Sequence, residues 1–341
     1  MDYQNIVEIL DEKRKLIDQE IFKNLPKKEP KDLYDLINDY PARGGKRIRP
    51  ILCLLSCEAF GGDFKKALIT AAAIEILHEF GLVHDDIEDG SDYRRGKPTL
   101  HHMYGVPLAI NAGDALHLKS WEVILKNRNV IGDKKTLELL KEFIMAGWEL
   151  VEGQTLELSW IKHKKWNITE EDYFKMCSKK TSWYTCITPF RMGAIIADAK
   201  PECLQSLIDF GYNLGIAFQI QDDVLNLLGE YKKYGKEIGG DIYEGKRTLM
   251  LIHLLKACKP KEKSKIINIM NKERLEKTVE EVKYIINSMK KYGSIQYARE
   301  KANQLFKIAE KIYKENIENY LLEEPKQILE AVIKFMIDRP F

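Results

Sequence analysis

The stretch AIEILHEFGLVHDDIEDGSDYRRGKPT, Ala73–Thr99, decides how this chain is read. Its first half is apolar, and the run LITAAAIEIL leads into it, so Lys65 to Asp89 reads as one long, mostly buried helix. The end of that helix gathers Asp85, Asp86, Glu88 and Asp89, and the chain then turns basic at Arg94 and Arg95. Asp85 and Asp89 are four apart, which puts both on one helix face. Like charges at that spacing repel, and carboxylates at a helix C-terminus oppose the macrodipole. Local rules broken in this way tend to mark functional sites. The plain alternative is an exposed acidic helix end. The apolar approach argues against it, because it aims the cluster into an interior.

A second cluster follows in GIAFQIQDDVLN, Gly215–Asn226, where Asp222 and Asp223 again end an apolar, aromatic approach. The residue four beyond Asp222 is Asn226, not an acid. Two aspartate pairs that end long apolar helices can face each other across a cavity and grip one polyanion through bridging metal ions. All-oxygen ligands suit a hard ion such as Mg²⁺, which needs only one or two carboxylates when phosphates and water complete its shell. Basic groups accompany both pairs: Arg43, Lys46, Arg47 and Arg49 in ARGGKRIRP, Lys179 and Lys180 before Thr181, and Lys236, Lys246 and Arg247 in a glycine-rich loop. Singly each reads as surface charge; together they can hold phosphate oxygens.

The remaining pattern is helical throughout. Apolar residues recur at three and four spacing over 5–22, 32–40, 49–60, 106–129, 133–160, 170–198, 202–228, 247–257, 261–291, 293–316 and 322–338, with no alternating strand run. The expectation is an all-α chain, one helical domain over 1–341, with 261–341 as solvated amphipathic helices in a structural role. Lys and Arg number 54 against 52 Asp and Glu, so no global field favours nucleic acid. No window reaches about 18 uninterrupted apolar residues, which predicts no membrane span. The six cysteines form no CxxC and read as buried thiols in a reducing, cytoplasmic setting. His101 and His102 read as a helix-surface pair.

GGKRIRP, EILHEFGLVHDDIEDGSDYRRGKPT, KKTSWY and GIAFQIQDDVLN stand in the order and at the spacings of the trans-isoprenyl diphosphate synthases, the polyprenyl synthetase family. The resemblance covers about Gly44 to Thr248 and is strongest to archaeal geranylgeranyl diphosphate synthases. It implies the isoprenoid-synthase fold, an antiparallel helical bundle around a deep central cavity, in a homodimer. It implies head-to-tail condensation of isopentenyl diphosphate with allylic diphosphates (dimethylallyl, geranyl, farnesyl), with three Mg²⁺ ions per site. Asp85, Asp89 and Asp222 would be the metal ligands, with Asp86 and Asp223 beside them and Lys180 in a catalytic role. Arg94, Lys180, Thr181, Gln219, Lys236 and Lys246 match positions that contact the allylic diphosphate. Lys46, Arg49, His78 and Arg95 match the isopentenyl diphosphate pocket.

By the same resemblance, Phe80 and Gly81, one turn before Asp85, form the floor that stops the growing chain, in a pattern like that of C20 synthases. C15, bifunctional C15/C20 and C25 products are the alternatives. A terpene cyclase would handle one diphosphate, and GGKRIRP with the second aspartate pair argues against it. A non-catalytic prenyltransferase subunit would lack an aspartate cluster, and a helical phosphohydrolase would release inorganic phosphate.

Overall fold

A computed structural model of the chain describes residues 3–228 and 238–337. The N-terminal half holds α1 (Tyr3–Asn24), α2 (Lys31–Ala42), α3 (Ile48–Ala59), α4 (Leu68–Glu88), α5 (Leu100–Tyr104), α6 (Val106–Leu125) and α7 (Arg128–Lys162). Next come α8 (Glu170–Cys177), α9 (Thr188–Ile196), α10 (Pro201–Leu228), α11 (Gly240–Glu244) and α12 (Leu249–Ala257). The C-terminal part adds α13 (Pro260–Met270), α14 (Val279–Lys291), α15 (Ser294–Asn316) and α16 (Glu323–Ile337). The fold is all-α, as expected.

The quoted stretch becomes α4, and α4 is the middle of the molecule. Every residue from Thr70 to Leu77 is buried, the condition of a helix surrounded by others. Among the described residues, the helical stretch Phe64–Glu88 is the one long and apolar enough to cross a membrane, and most of its apolar window is buried within the fold. Small side chains on α6 let that helix lie close to α4: Ala109 and Ala112 are buried, and a Cβ added at Gly113 would stand 2.3 Å from the His84 ring.

Four departures from the sequence pattern matter for the site. First, residues 170–196 are helical throughout and 197–198 turn away, and within the run Ser178–Ile187 is a π-helix joining α8 to α9. Pro189, in the first turn of α9, has no N–H to donate to the carbonyl four residues back, which disfavours a regular α register where the π-helix ends. Second, Tyr93–Arg94 and Lys97–Pro98 form a two-residue antiparallel ribbon. Arg95 and Gly96 both have positive φ, 51° and 76°, as a tight hairpin turn demands. Third, 106–129 and 133–160 are not cleanly separated, because α7 begins at Arg128 and kinks at Gly132. Fourth, 261–291 divides into α13 and α14. The cause is a capping box at Thr278, whose hydroxyl accepts from Glu281 N–H while Glu281 accepts from Thr278 N–H. Of the C-terminal helices, α15 packs along α10, and α16 on α3.

Candidate active site

A cavity of about 710 Å³ opens between α3, α4, α7, the π-helix, α10 and the segment around α11. Asp85 and Glu88 of α4 border it, and so do Asp222 and Asp223 of α10. The two acidic helix ends therefore serve one space.

Lysines already lie among the carboxylates. Lys246 Nζ is 2.7 Å from both Asp89 Oδ2 and Glu244 Oε2. Lys180 Nζ is 2.6 Å from Glu157 Oε2 and 3.5 Å from Asp85 Oδ1. Burial alone would lower both ammonium pKa values. The neighbouring acids, Asp89 and Glu244 for Lys246, Glu157 and Asp85 for Lys180, outweigh it and raise them. Negative charge is nonetheless in surplus. Burial, with Asp85 and Glu244 nearby, pushes Asp89 up to about 7 even against Lys246. Burial, with Glu157 and Asp222 nearby, pushes Asp223 up to about 7. A hard divalent cation would relieve that surplus, so the donor set fits one. Among the described residues no three His, Cys, Asp or Glu groups converge into a complete cage, which suits an ion that takes the rest of its shell from phosphate and water.

Asp86, expected beside the metal, points elsewhere. It is fully buried, accepts from Tyr40 OH at 2.7 Å and from Arg94 Nε at 3.1 Å, and pairs with Arg94 Nη2. Its work is to fix Arg94, whose guanidinium borders the cavity 3.7 Å from Asp85. On the facing wall Tyr173 OH donates to Asp223 Oδ2 at 2.7 Å, and Gln219 Nε2 donates to Oδ1 at 2.8 Å. Thr181 Oγ1 donates to Gln219 Oε1 at 2.7 Å, so Thr181, Gln219 and Asp223 form one chain. Asn226 serves the backbone: its Oδ1 accepts Asp241 N–H at 3.2 Å and ties α10 to α11. Lys236 lies outside the described residues.

The π-helix carries Lys180, Thr181 and Tyr184 to the cavity. Glycines on both sides allow this. A Cβ at Gly153 of α7 would stand 2.3 Å from Lys180 N, and one at Gly215 of α10 would stand 2.4 Å from Ser182.

The other basic cluster divides by role. Arg47, buried with φ 49°, is spent on Asp18, Glu75 and Glu79. Arg95 Nη1 donates to Tyr40 O and to both Glu79 oxygens while its side chain borders the cavity. Arg49 differs: Nη1 donates to His78 Nε2 at 3.3 Å and Nη2 to Tyr184 OH at 2.7 Å, both neutral partners. Burial, and then Arg49 itself, push the His78 pKa well down, so the ring is neutral and accepts at Nε2. Lys46, Arg49, His78 and Arg95 all border the cavity. Phe80, Gly81, Leu82, Leu150, Leu158 and Phe218 give the same cavity an apolar lining. Phe80 stacks on His117 at 4.7 Å between ring centroids.

Sequence reasoning missed Tyr40, Glu79, Glu157 and Tyr173. Glu157 lies in a Glu-rich amphipathic helix, where nothing marks it from its solvated neighbours. Glu79 carried one usable signal, an acid four after Glu75 on a helix read as buried.

The polyprenyl synthetase profile matches residues 30–289. The chain is 34% identical over 335 residues, 98% of each chain, to the short chain isoprenyl diphosphate synthase of Methanothermobacter thermautotrophicus. Its fold matches the crystal structure of geranylgeranyl pyrophosphate synthetase from Pyrococcus horikoshii Ot3 with a TM-score of 0.87 and 39% identity, covering 99% of each chain. A geranylgeranyl pyrophosphate synthase from Corynebacterium glutamicum, complexed with isoprenyl diphosphate and magnesium, aligns with a TM-score of 0.89 and 25% identity over 97% of this chain and 99% of that one. With its motifs gathered on one cavity inside a shared fold, this chain belongs to the polyprenyl synthetase family and is a prenyltransferase.

Proposed function

We propose that this chain condenses isopentenyl diphosphate head-to-tail with allylic diphosphates and makes mainly the C20 product, geranylgeranyl diphosphate. The observation that carries the reading is one cavity bordered by Asp85 and Glu88 of α4 and by Asp222 and Asp223 of α10, by Arg49, which has no carboxylate partner among the described residues, and by apolar side chains that include Phe80.

Asp85 and Asp89 on one side and Asp222 on the other would hold divalent metal, Mg²⁺, at three ions per site. Metal bound there supplies Lewis-acid stabilisation of the diphosphate as it leaves the allylic carbon. Lys180, Thr181, Lys246 and Arg94 add fixed donors to the same leaving group, aimed where negative charge develops. Gln219 holds Thr181 and Asp223 in register. On the other side Lys46, Arg49, His78 and Arg95 hold isopentenyl diphosphate with its double bond toward the allylic carbon. The allylic C–O bond breaks with its electrons on oxygen, the alkene forms the new C–C bond, and a proton then leaves to restore a double bond. His78 faces Arg49 and is no base, so the departed diphosphate is the acceptor we favour. Leu82, Leu158 and Phe218 keep water from the cation.

A face of α6 and α7 exposes Leu118, Leu137 and Trp148, at 70%, 60% and 65% of their surface. An apolar face of this kind supports a homodimer.

The test is incubation of pure protein with Mg²⁺, isopentenyl diphosphate and each of the C5, C10 and C15 allylic diphosphates. The expected result is C20 product from all three, with one inorganic diphosphate per bond formed. Cyclic hydrocarbon, inorganic phosphate or no elongation would each refute it.

A further inference from the structure

Arg49 is the unusual cation of this site. Arg47 and Arg95 pair with Glu75 and Glu79, and Arg94 with Asp86. Arg49 forms no such pair among the described residues. Its Nε is buried without a partner, and two neutral rings hold the rest of its head. One is His78. The other is Tyr184, which meets it twice: the guanidinium carbon lies 4.3 Å from the ring centroid, and Nη2 donates to the hydroxyl at 2.7 Å. The Tyr184 ring also lies 5.9 Å from the His78 ring.

We propose that Tyr184 is a positioning residue for isopentenyl diphosphate: it holds Arg49 by its ring face and hydroxyl, and leaves the full positive charge for the diphosphate. This rests on the reading of Arg49 as an isopentenyl diphosphate ligand. The physical case concerns charge. A carboxylate partner would orient Arg49 equally well, but it would also neutralise the guanidinium and repel the incoming anion. A tyrosine orients without either cost. The ring supplies cation–π attraction to a group largely out of water, and the hydroxyl sets the rotation of the planar fork.

Tyr184 is placed for this by the π-helix. Lys180, Thr181 and Tyr184 all border the cavity, so one irregular segment carries donors for the allylic diphosphate and the support for Arg49. Movement of this segment would then change both half-sites together, which links allylic binding to the isopentenyl pocket.

The test is steady-state kinetics of the full chain with each substrate varied in turn. Tyr184→Phe keeps the ring and loses the hydroxyl; the KM for isopentenyl diphosphate should rise about fivefold. Tyr184→Leu loses both contacts, and that KM should rise about thirtyfold. The KM for the allylic substrate should stay within about twofold in both, a split that general loosening of the fold would not produce. In an Arg49→Lys background, Tyr184→Phe should add less than about twofold, because the fork it orients is gone. An unchanged isopentenyl KM in Tyr184→Leu, equal rises in both KM values, or full additivity with Arg49→Lys would each overturn the inference. Arg49→Ala separates the two levels. If it leaves the isopentenyl KM unchanged, the assignment of Arg49 fails and the inference with it. If Arg49→Ala raises that KM while Tyr184→Leu is silent, the inference alone fails.

Discussion

Phe80, which we propose as the floor of the cavity, has rings behind it: it stacks on His117 and meets His84 edge-on at 4.8 Å, while Trp121 Nε1 donates to His117 Nε2 at 3.0 Å. A floor backed by rings should be stiff. Phe80→Ala should therefore deepen the pocket and move the main product from C20 to C25 or longer, read by chromatography of the dephosphorylated alcohols. A Cβ at Gly81 would meet nothing within 4 Å, so Gly81→Phe has room and should shorten the product toward C15. Unchanged chain lengths in both variants would remove these residues as the floor.

The same scale yields a pH prediction. Asp223 has an ordinary value of 3.8 and is held up to about 7 in the fold, mainly by burial. Between those values the folded chain keeps a proton that the unfolded chain has lost. Stability of metal-free protein should therefore fall as pH rises from 4 through 7 and level off above, by on the order of 4 kcal/mol at most for this group. Thermal midpoints in chelator from pH 5 to 8 should slope less for Asp223→Asn than for wild type; equal slopes would contradict this. Asp85, Asp222 and Asp223, which the fold brings to one cavity, stood out in the sequence because they break local rules. Asp86 sits in the same cluster yet turns inward to Arg94, a difference that spacing cannot reveal because adjacent helix positions point about 100° apart.

Among the elements, the π-helix decides most. Its packing between Gly153 and Gly215 leaves no space for a methyl group. Gly153→Ala and Gly215→Ala should each cost about 1–3 kcal/mol of stability and raise the allylic KM, because backbone that carries Lys180 and Thr181 must shift. Melting curves with matched kinetics check this; wild-type behaviour in both would show that the segment tolerates displacement. Helix positions were readable here, since three and four spacing survives in a π-helix. The widened register was not, and Pro189 was its single trace. The ribbon at Tyr93–Pro98 was unreadable for another reason: two-residue strands show no alternation. The split of 261–291 was available in Thr278 and Glu281, a capping signature inside a run whose apolar spacing hid the break.

For the whole molecule, all-α architecture followed from periodicity, and the burial of α4 from its long, mostly apolar run. What periodicity could not show is which long helix keeps an outward apolar face. Leu118 and Trp148 belong to helices that read as ordinary amphipathic ones, yet both stay exposed. If this face carries the proposed homodimer, light scattering should show wild type as a dimer and Leu118→Glu with Trp148→Glu as a monomer; a monomeric wild type, or a double variant of wild-type mass, would contradict the proposal.

The account stands on α4 and α10 presenting their carboxylates to the same diphosphate. A crystal grown with Mn²⁺ and a non-hydrolysable allylic thiodiphosphate, measured at the manganese edge, tests this most directly. Anomalous peaks beside Asp85 and Asp89 and beside Asp222, with one diphosphate between them, are predicted. Metal on one helix alone, or a diphosphate bound away from both, would contradict it.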